Sequence, residues 1–154
     1  MLSTLKLLKA EGDALGAYLL LREGLALKHG NCLVAVAVSH GHKDWNVVSA
    51  LGASPDVHGH ETMRTHDNIA AQSARLGRHL AQRYDVAVED AVGAIAAMRW
   101  GALVAAANET LGDPVAARKW LHAPHPGLHG VPADELVDTD DGYARVERLL
   151  IHTL

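Results

Sequence analysis

Histidine is abundant in this sequence: it occupies eleven of the 154 positions, and its side chain is the first candidate for chemistry. Seven of these histidines fall in three groups: His40 and His42; His58 and His60; His122, His125 and His129. Imidazole binds zinc, nickel and copper, so each group is a candidate metal site. None has the helical spacing of a zinc protease motif, and no carboxylate or cysteine stands at a recognisable ligand offset. We therefore predict no metal site and no cofactor, and keep a metal- or small-molecule-binding helical protein as an alternative.

Nucleophilic catalysis by the one cysteine, Cys32, is a second possible chemistry. His29 precedes it by three residues, and a cysteine beside a histidine can become a nucleophile. Cys32 lies in an apolar segment, however, where a buried structural thiol is far more common. The sequence also has no phosphate-binding loop, no GxGxxG and no serine elbow. We predict that the protein is not an enzyme.

Positive charge gathers between residues 62 and 83, which indicates a possible contact with nucleic acid. This segment contains one acidic residue, Asp67, and four arginines: Arg64, Arg75, Arg78 and Arg83. Arginine and glutamine side chains reach phosphates and base edges, so this helix could read operator DNA. An ordinary solvated helix face explains the same charges. The whole chain has a net charge of −4, and residues 101–154 are acidic.

The elements that carry these residues are predicted to be helices. Phenylalanine is absent and aromatics make up 4% of the residues, so the core must use leucine, valine and alanine, which favour close helix packing. The segment 33–39 alternates like a strand, but no partner strand is evident, and we predict a helix. The predicted fold class is all-α, a small helical bundle of two helical modules.

Breaks in the helical pattern divide the chain into four regions. We predict an N-terminal helical module at 1–52, a linker at 53–61, a central helical region at 62–91, and a further domain at 92–154. Long helices are expected at about 66–83 and 86–111. No apolar run reaches the ~20 residues of a membrane span. Lys6 interrupts the apolar start, so we expect a cytoplasmic protein without a membrane contact.

The residues that begin and end helices are clearest after residue 111. Gly112-Asp113-Pro114 ends one helix and caps the next, because glycine adopts left-handed backbone and proline fits a first helical turn. Pro124 and Pro126 end that second helix and begin a loop. Pro132 starts a short helix, and Thr139 is a suitable N-cap for the last one.

The order of these pieces closely resembles the toxin-binding domain of Xre/MbcA/ParS-type antitoxins. The pieces are Ala116–Leu121 ending in Trp-Leu, the loop Pro124–Gly130, Pro132–Leu136, and Asp138–Leu150 with its Val-x-x-Leu-Leu stripe. The resemblance covers about residues 92–152. The sequence departs from the family pattern at three positions: His125 replaces asparagine, His129 replaces the first glycine, and Val137 replaces a leucine.

The resemblance implies an antitoxin of a type II toxin–antitoxin pair that blocks the active site of a RES-type toxin, which consumes NAD⁺ or transfers ADP-ribose. It also implies a homodimer. The expected toxin-binding residues are Pro124, His125, Pro126, Leu128, His129, Gly130, Asp134, Glu135, Asp138, Asp140 and Asp141. The expected core of that domain is Trp120, Leu121, Leu136, Tyr143, Val146 and Leu150. We expect Leu128→Asp to abolish neutralisation without unfolding the chain. A DNA-binding autoregulator that uses the helix at 62–83 is the alternative function.

The N-terminal module resembles a small helical module appended to glyoxalase-related bacterial proteins. Gly24–His29 and Gly41–Leu51 carry this similarity, including the run Gly-His-Lys-Asp-Trp-Asn. The resemblance implies no settled activity. Asp44 is a plausible N-cap there, with Trp45 turned into the core.

Overall fold

A computed structural model describes residues 4–53, 68–88 and 90–152 of the chain, with backbone alone for 51–53. These residues form helices and no strand, which confirms the predicted all-α class. The α-helices are α1 (Thr4–Glu23), α2 (His29–Ser39), α3 (Trp45–Ala53), α4 (Ile69–Tyr84), α5 (Ala91–Leu111), α6 (Pro114–His122) and α7 (Asp140–Ile151). Two 3₁₀ turns, Pro126–Leu128 and Ala133–Glu135, join α6 to α7.

Side-chain caps set where these helices begin. The amide of Ala71 donates to Asn68 Oδ1 over 2.7 Å, so α4 starts just after Asn68. The amide of Gly93 donates to Asp90 Oδ1 over 2.8 Å, so α5 starts five residues later than the predicted position 86. The segment 33–39 is helical within α2, as predicted. Arg64, His58, His60 and most of the predicted linker lie outside the described residues.

The helices pack around two apolar cores that share α5. The first core, which we call the N-terminal core, joins residues of α1–α3 to α4 and α5: Leu8, Leu15, Leu19, Ala35, Val36, Ala37, Val48, Leu76, Leu80, Ala94, Ile95 and Met98. The C-terminal core contains Leu103, Ala107, Ala117, Leu121, Leu128, Ala133, Tyr143, Val146 and Leu150. Helices α1–α3 therefore share a core with α4 and the first half of α5, and the division between cores falls inside α5, between Met98 and Leu103.

Helix α5 occupies the centre because it presents small residues to α1. A side chain at Gly101 would place its Cβ 2.6 Å from Ala14 Cβ and 3.0 Å from the carbonyl oxygen of Ala10. The two helices therefore pack in close contact at this point. By length and composition α5 also suits a membrane span, yet Ile95, Met98 and Leu103 on it are buried core residues here.

Candidate functional site

The C-terminal helices are joined by a tight, well-capped turn. Gly112 ends α5 in left-handed backbone at φ 69°, and its amide donates to Asn108 O over 2.9 Å. Asp113 then caps α6 by accepting hydrogen bonds from the amides of Val115 and Ala116. Pro114 fills the first turn of α6, as predicted.

The loop after α6 is held from inside by His125 and Leu128. Nε2 of His125 donates to the carbonyl of Trp120 over 2.6 Å, and the two rings lie in contact with centroids 4.5 Å apart and planes tilted by 37°. The carbonyl of His125 accepts from the amides of Leu128 and Gly130. Leu128 is only 2% exposed and packs in the C-terminal core. These contacts fix a loop that contains Pro124 and Pro126.

His129 occupies a backbone conformation that normally favours glycine. Its φ is 57°, and Gly130 follows at φ 79°. Most side chains are strained there because Cβ approaches the carbonyl oxygen. The departure from the family pattern at His129 therefore has a conformational cost, and it places an exposed imidazole at the loop tip.

The start of α7 is the most constrained part of this region. Thr139 Oγ1 accepts from the amide of Gly142 over 3.1 Å, which confirms the predicted N-cap. A Cβ at Gly142 would lie 2.5 Å from both Leu136 O and Thr139 Oγ1, so only glycine fits. Beside this turn, His122 Nδ1 lies 2.9 Å from Asp134 Oδ2 and ties α6 to the second 3₁₀ turn.

Most of the predicted toxin-binding residues lie on the surface of this one loop and helix start. The exposed ones are Pro124, Pro126, His129, Gly130, Asp134, Glu135, Asp138 and Asp141. The structure does not leave Leu128 free for contact, because its side chain fills the core. This burial argues against the expectation that Leu128→Asp leaves the chain folded, because the substitution would bury a carboxylate.

The predicted core residues of this region pack together. Leu121, Tyr143, Val146 and Leu150 are buried in the C-terminal core, and Trp120 and Leu136 pack against it half-buried. Their shared role is to hold α6, the loop and α7 in one unit.

Asp140 has a different environment from the other acids that were predicted as contacts. Its Oδ1 accepts from Arg99 Nη2 over 2.6 Å and from the amide of Ile69 over 2.9 Å. These bonds connect α7 to α5 and to the start of α4, so the carboxylate stabilises the packing of the helices. Sequence reasoning missed Arg99, although it is the one basic residue in the apolar helix α5.

A basic cleft lies between the end of α2 and α4, outside the C-terminal region. It encloses about 280 Å³ and is lined by Val38, Gly41, His42, Arg75, Arg78, His79 and Gln82. Nε of Arg75 donates to the carbonyl of Ser39 over 2.9 Å, which orients this guanidinium at the cleft. Burial, and then the charge of Arg83, lower the pKa of His79, so its ring stays neutral near pH 7.

The surroundings of Cys32 and of His29 bear on the nucleophile and metal-site alternatives. Cys32 is buried, and burial, reinforced by Asp13, raises the pKa of its thiol above the ordinary value. Nδ1 of His29 lies 3.3 Å from Asp13 Oδ1, and Sγ of Cys32 lies 4.0 Å from the carbonyl oxygen of Leu27. Among the described residues, no three His, Cys, Asp or Glu side chains gather where a metal ion would fit.

The comparison with protein families shows which known domain the C-terminal region is similar to. Residues 106–153 match the antitoxin Xre/MbcA/ParS C-terminal toxin-binding domain. This segment is therefore similar to the toxin-binding domain of that antitoxin family. The matched segment, which we call the toxin-binding domain, begins in the second half of α5 and includes α6, the loop and α7, which are the elements around the C-terminal core. The family supports a role as the antitoxin of a toxin–antitoxin system, with a toxin as partner.

The other comparisons add no relative. No curated protein and no solved structure matches the chain. The matched segment does not reach the N-terminal helices, so their resemblance to a module of glyoxalase-related proteins stays a prediction. Within that part, Asp44 Oδ1 accepts from the amide of Val47 over 3.1 Å, and Trp45 packs against the N-terminal core.

Proposed function

We propose that this antitoxin binds a RES-type toxin and blocks the site at which that toxin consumes NAD⁺ or transfers ADP-ribose. The observation that carries the proposal is the exposed, acidic rim of the toxin-binding domain. Asp134, Glu135, Asp138 and Asp141 are all exposed within eight residues of chain. An enzyme that binds the diphosphate of NAD⁺ needs cationic groups in its pocket, and this rim would pair with them.

The loop beside the rim is suited to binding because it is already ordered. Two prolines restrict its backbone, and the His125 ring and the buried Leu128 hold it from inside. A preorganised loop loses little conformational entropy when it meets a partner. Pro124, Pro126 and His129 are therefore the proposed steric part of the contact, and the carboxylates are the electrostatic part.

Growth and NAD⁺ measurements test this proposal in cells. The gene adjacent to this one is induced alone, and then together with the antitoxin. We expect the neighbour alone to stop growth and deplete NAD⁺, and co-expression to restore both. Asp138→Lys should weaken the rescue, because it reverses a charge on the rim. Glu23→Lys, at the end of α1, is the matched charge reversal outside the domain and should rescue like wild type. A harmless neighbour, or no rescue by the wild type, would overturn the proposal.

Operator binding is a second candidate function, favoured by the basic cleft. No carboxylate is among the described residues that line it, and Arg78 is exposed at its edge. A gel shift with the upstream promoter tests this candidate. Arg78→Ala should weaken binding, Arg118→Ala on α6 should not, and affinity should fall steeply with salt. Binding that is unaffected by Arg78→Ala would exclude the cleft. Arg83 is exposed on the same helix, and Arg64 lies outside the described residues.

We also propose that the antitoxin acts in the cytoplasm as a homodimer. Leu20 and Leu21 are 57% and 84% exposed on α1, and a second copy of the chain would remove them from water. Sedimentation of wild type and Leu21→Glu tests this: we expect a dimer and a monomer, respectively. Identical sedimentation of the two would exclude this surface.

A further inference from the structure

Four buried polar side chains, each from a different part of the N-terminal region, form one continuous hydrogen-bonded row. Glu11 on α1, His40 at the end of α2, Gln72 on α4 and Arg99 on α5 are each at most 5% exposed. Glu11 Oε2 lies 2.9 Å from His40 Nε2, and His40 Nδ1 lies 3.3 Å from Gln72 Nε2. Gln72 Oε1 accepts from Arg99 Nη2 over 3.2 Å. We call these four residues the buried polar row.

The hydrogen bonds of the row have one consistent direction. Arginine can only donate, so the oxygen of the Gln72 amide faces Arg99 and its NH₂ group faces His40. Nδ1 of His40 must then accept, which leaves the proton on Nε2 to be donated to the carboxylate of Glu11. If the Gln72 amide were rotated by about 180°, its NH₂ group would face Nη2 of Arg99. Two hydrogen-bond donors would then meet, and no hydrogen bond would form between them. Each side chain of the row therefore fixes the orientation of the next.

The row ends on the first turn of α7, inside the toxin-binding domain. Arg99 Nη2, which donates to Gln72, also donates to Asp140 Oδ1 over 2.6 Å. The guanidinium carbon lies 5.0 Å from the centre of the Tyr143 ring, one turn further along α7. Arg99 thus contacts two residues of α7, Asp140 and Tyr143, that lie about one helical turn apart. Gln72 and Asp140 both accept hydrogen bonds from Nη2 of Arg99, whereas Nη1 has no hydrogen-bond partner among the described residues.

We propose that Gln72 and Arg99 are positioning residues for toxin recognition, and that the buried polar row makes toxin affinity depend on helices outside the toxin-binding domain. The inference rests on the proposed function, since it concerns the affinity of that site. Its physical basis is that a buried charge without its partners is costly, so loss of one link shifts Arg99 and releases α7. Residues before position 106 thereby acquire a role in neutralisation.

Hydrogen exchange of the free antitoxin and toxin affinity together test the proposal. Gln72→Met keeps the length of the side chain and removes both of its hydrogen bonds. Ser73→Ala is the control, because Ser73 is also buried on α4 but bonds only within its own helix, to the carbonyl of Ile69. Both variants are compared with wild type at a temperature at which all three are folded. We expect Gln72→Met to speed exchange in the first turn of α7 and to weaken toxin binding on the order of tenfold. Ser73→Ala should change neither.

Two results would overturn the inference. One is unchanged exchange of the α7 turn in Gln72→Met, and the other is an equal effect of Ser73→Ala. If Gln72→Met does not fold, Asp140→Asn breaks the ion pair at the exposed end of the row and must speed exchange in the same turn. Should wild type fail to bind the toxin, the proposed function fails. The exchange comparison needs no toxin and still decides whether the row positions α7.

Discussion

Arg99 Nη2 on α5 lies 2.6 Å from Asp140 Oδ1, the first residue of α7, and this ion pair joins the buried interior to the toxin-binding domain. The arginine side chain is 6% exposed and that of the aspartate 42%. Removing the aspartate therefore leaves a buried cation without its counter-charge. Asp140 differs in this respect from the nearby acid Asp141, whose ion pair with Arg145 lies on the surface.

Asp140→Ala should destabilise the antitoxin by about 3 kcal/mol, because Arg99 would keep its charge in a buried site. Asp141→Ala is the control: its carboxylate forms an exposed pair with Arg145 over 2.9 Å, and such pairs contribute below about 1 kcal/mol. Denaturant unfolding of both variants measures the difference. Equal loss of stability would show that the Arg99–Asp140 pair does not hold α7.

Leu128→Ala should lower the free energy of unfolding by about 3 kcal/mol, since the side chain is fully packed in the C-terminal core. Pro126→Ala in the same loop removes an exposed side chain and should cost far less. Thermal unfolding followed by circular dichroism compares them. A stable Leu128→Ala protein that fails to neutralise toxin would restore Leu128 as a contact residue.

Gly142→Ala should disrupt the start of α7, because the added methyl group would meet the carbonyl oxygen of Leu136 and the capping oxygen of Thr139. We expect a loss of stability above about 2 kcal/mol from this overpacking. Gly30→Ala is the matched control: Gly30 is helical with no atom within 4 Å of an added Cβ. That substitution should be neutral or stabilise by up to about 1 kcal/mol. The two melting temperatures must therefore move in different directions or by very different amounts.

His129→Gly should stabilise the loop by about 0.5–1 kcal/mol, because the left-handed backbone at φ 57° suits glycine. His125→Gly, at φ −123°, removes the bond to Trp120 and should destabilise instead. Chemical denaturation of each variant gives the sign. A less stable His129→Gly would mean that the imidazole makes contacts that outweigh its backbone strain.

Acid should weaken the antitoxin partly through His79. Burial and Arg83 make the pKa of His79 lower in the folded chain than its ordinary value of 6.5, so the unfolded chain binds the proton more tightly. The stability contributed by neutral His79 is thus complete above the unfolded pKa and is lost as pH falls through the folded one. His79→Phe keeps a ring against Tyr84, whose centroid is 6.2 Å away, and cannot take up a proton. Its melting temperature should fall less than that of wild type between pH 7 and pH 5, a range taken from the ordinary histidine pKa of about 6.5. If the melting temperatures of the variant and of wild type fall equally between pH 7 and pH 5, His79 is not the cause of the acid effect.

Local signals in the sequence were sufficient for the helix boundaries of the C-terminal part. Gly112, Asp113, Pro114 and Thr139 act through their own backbone and nearest neighbours, so their roles follow from residue type alone. The same holds for the helical assignment of 33–39, where an unpaired strand would have been unstable. The start of α5 was misplaced because the cap at Asp90 competes with helical residues before it.

Long-range packing was beyond the reach of sequence reasoning. Leu128 looked like a loop contact because prolines surround it, and only the fold shows that it enters the core. Asp140 looked like one more surface acid, because its partner Arg99 lies 41 residues earlier. Glu11 and His40 are 29 residues apart, and nothing local marks them as a buried pair. Such contacts depend on how helices pack, which a single sequence does not specify.

Titration of the purified antitoxin into the protein encoded by the adjacent gene tests whether the toxin-binding domain blocks an active site that consumes NAD⁺. The rate of NAD⁺ consumption is measured as the antitoxin concentration rises. We expect wild type to stop consumption at a fixed molar ratio, and we expect Asp138→Lys to require a higher concentration while Glu23→Lys does not. Undiminished NAD⁺ consumption with saturating, folded wild type would contradict the claim that the toxin-binding domain covers the active site.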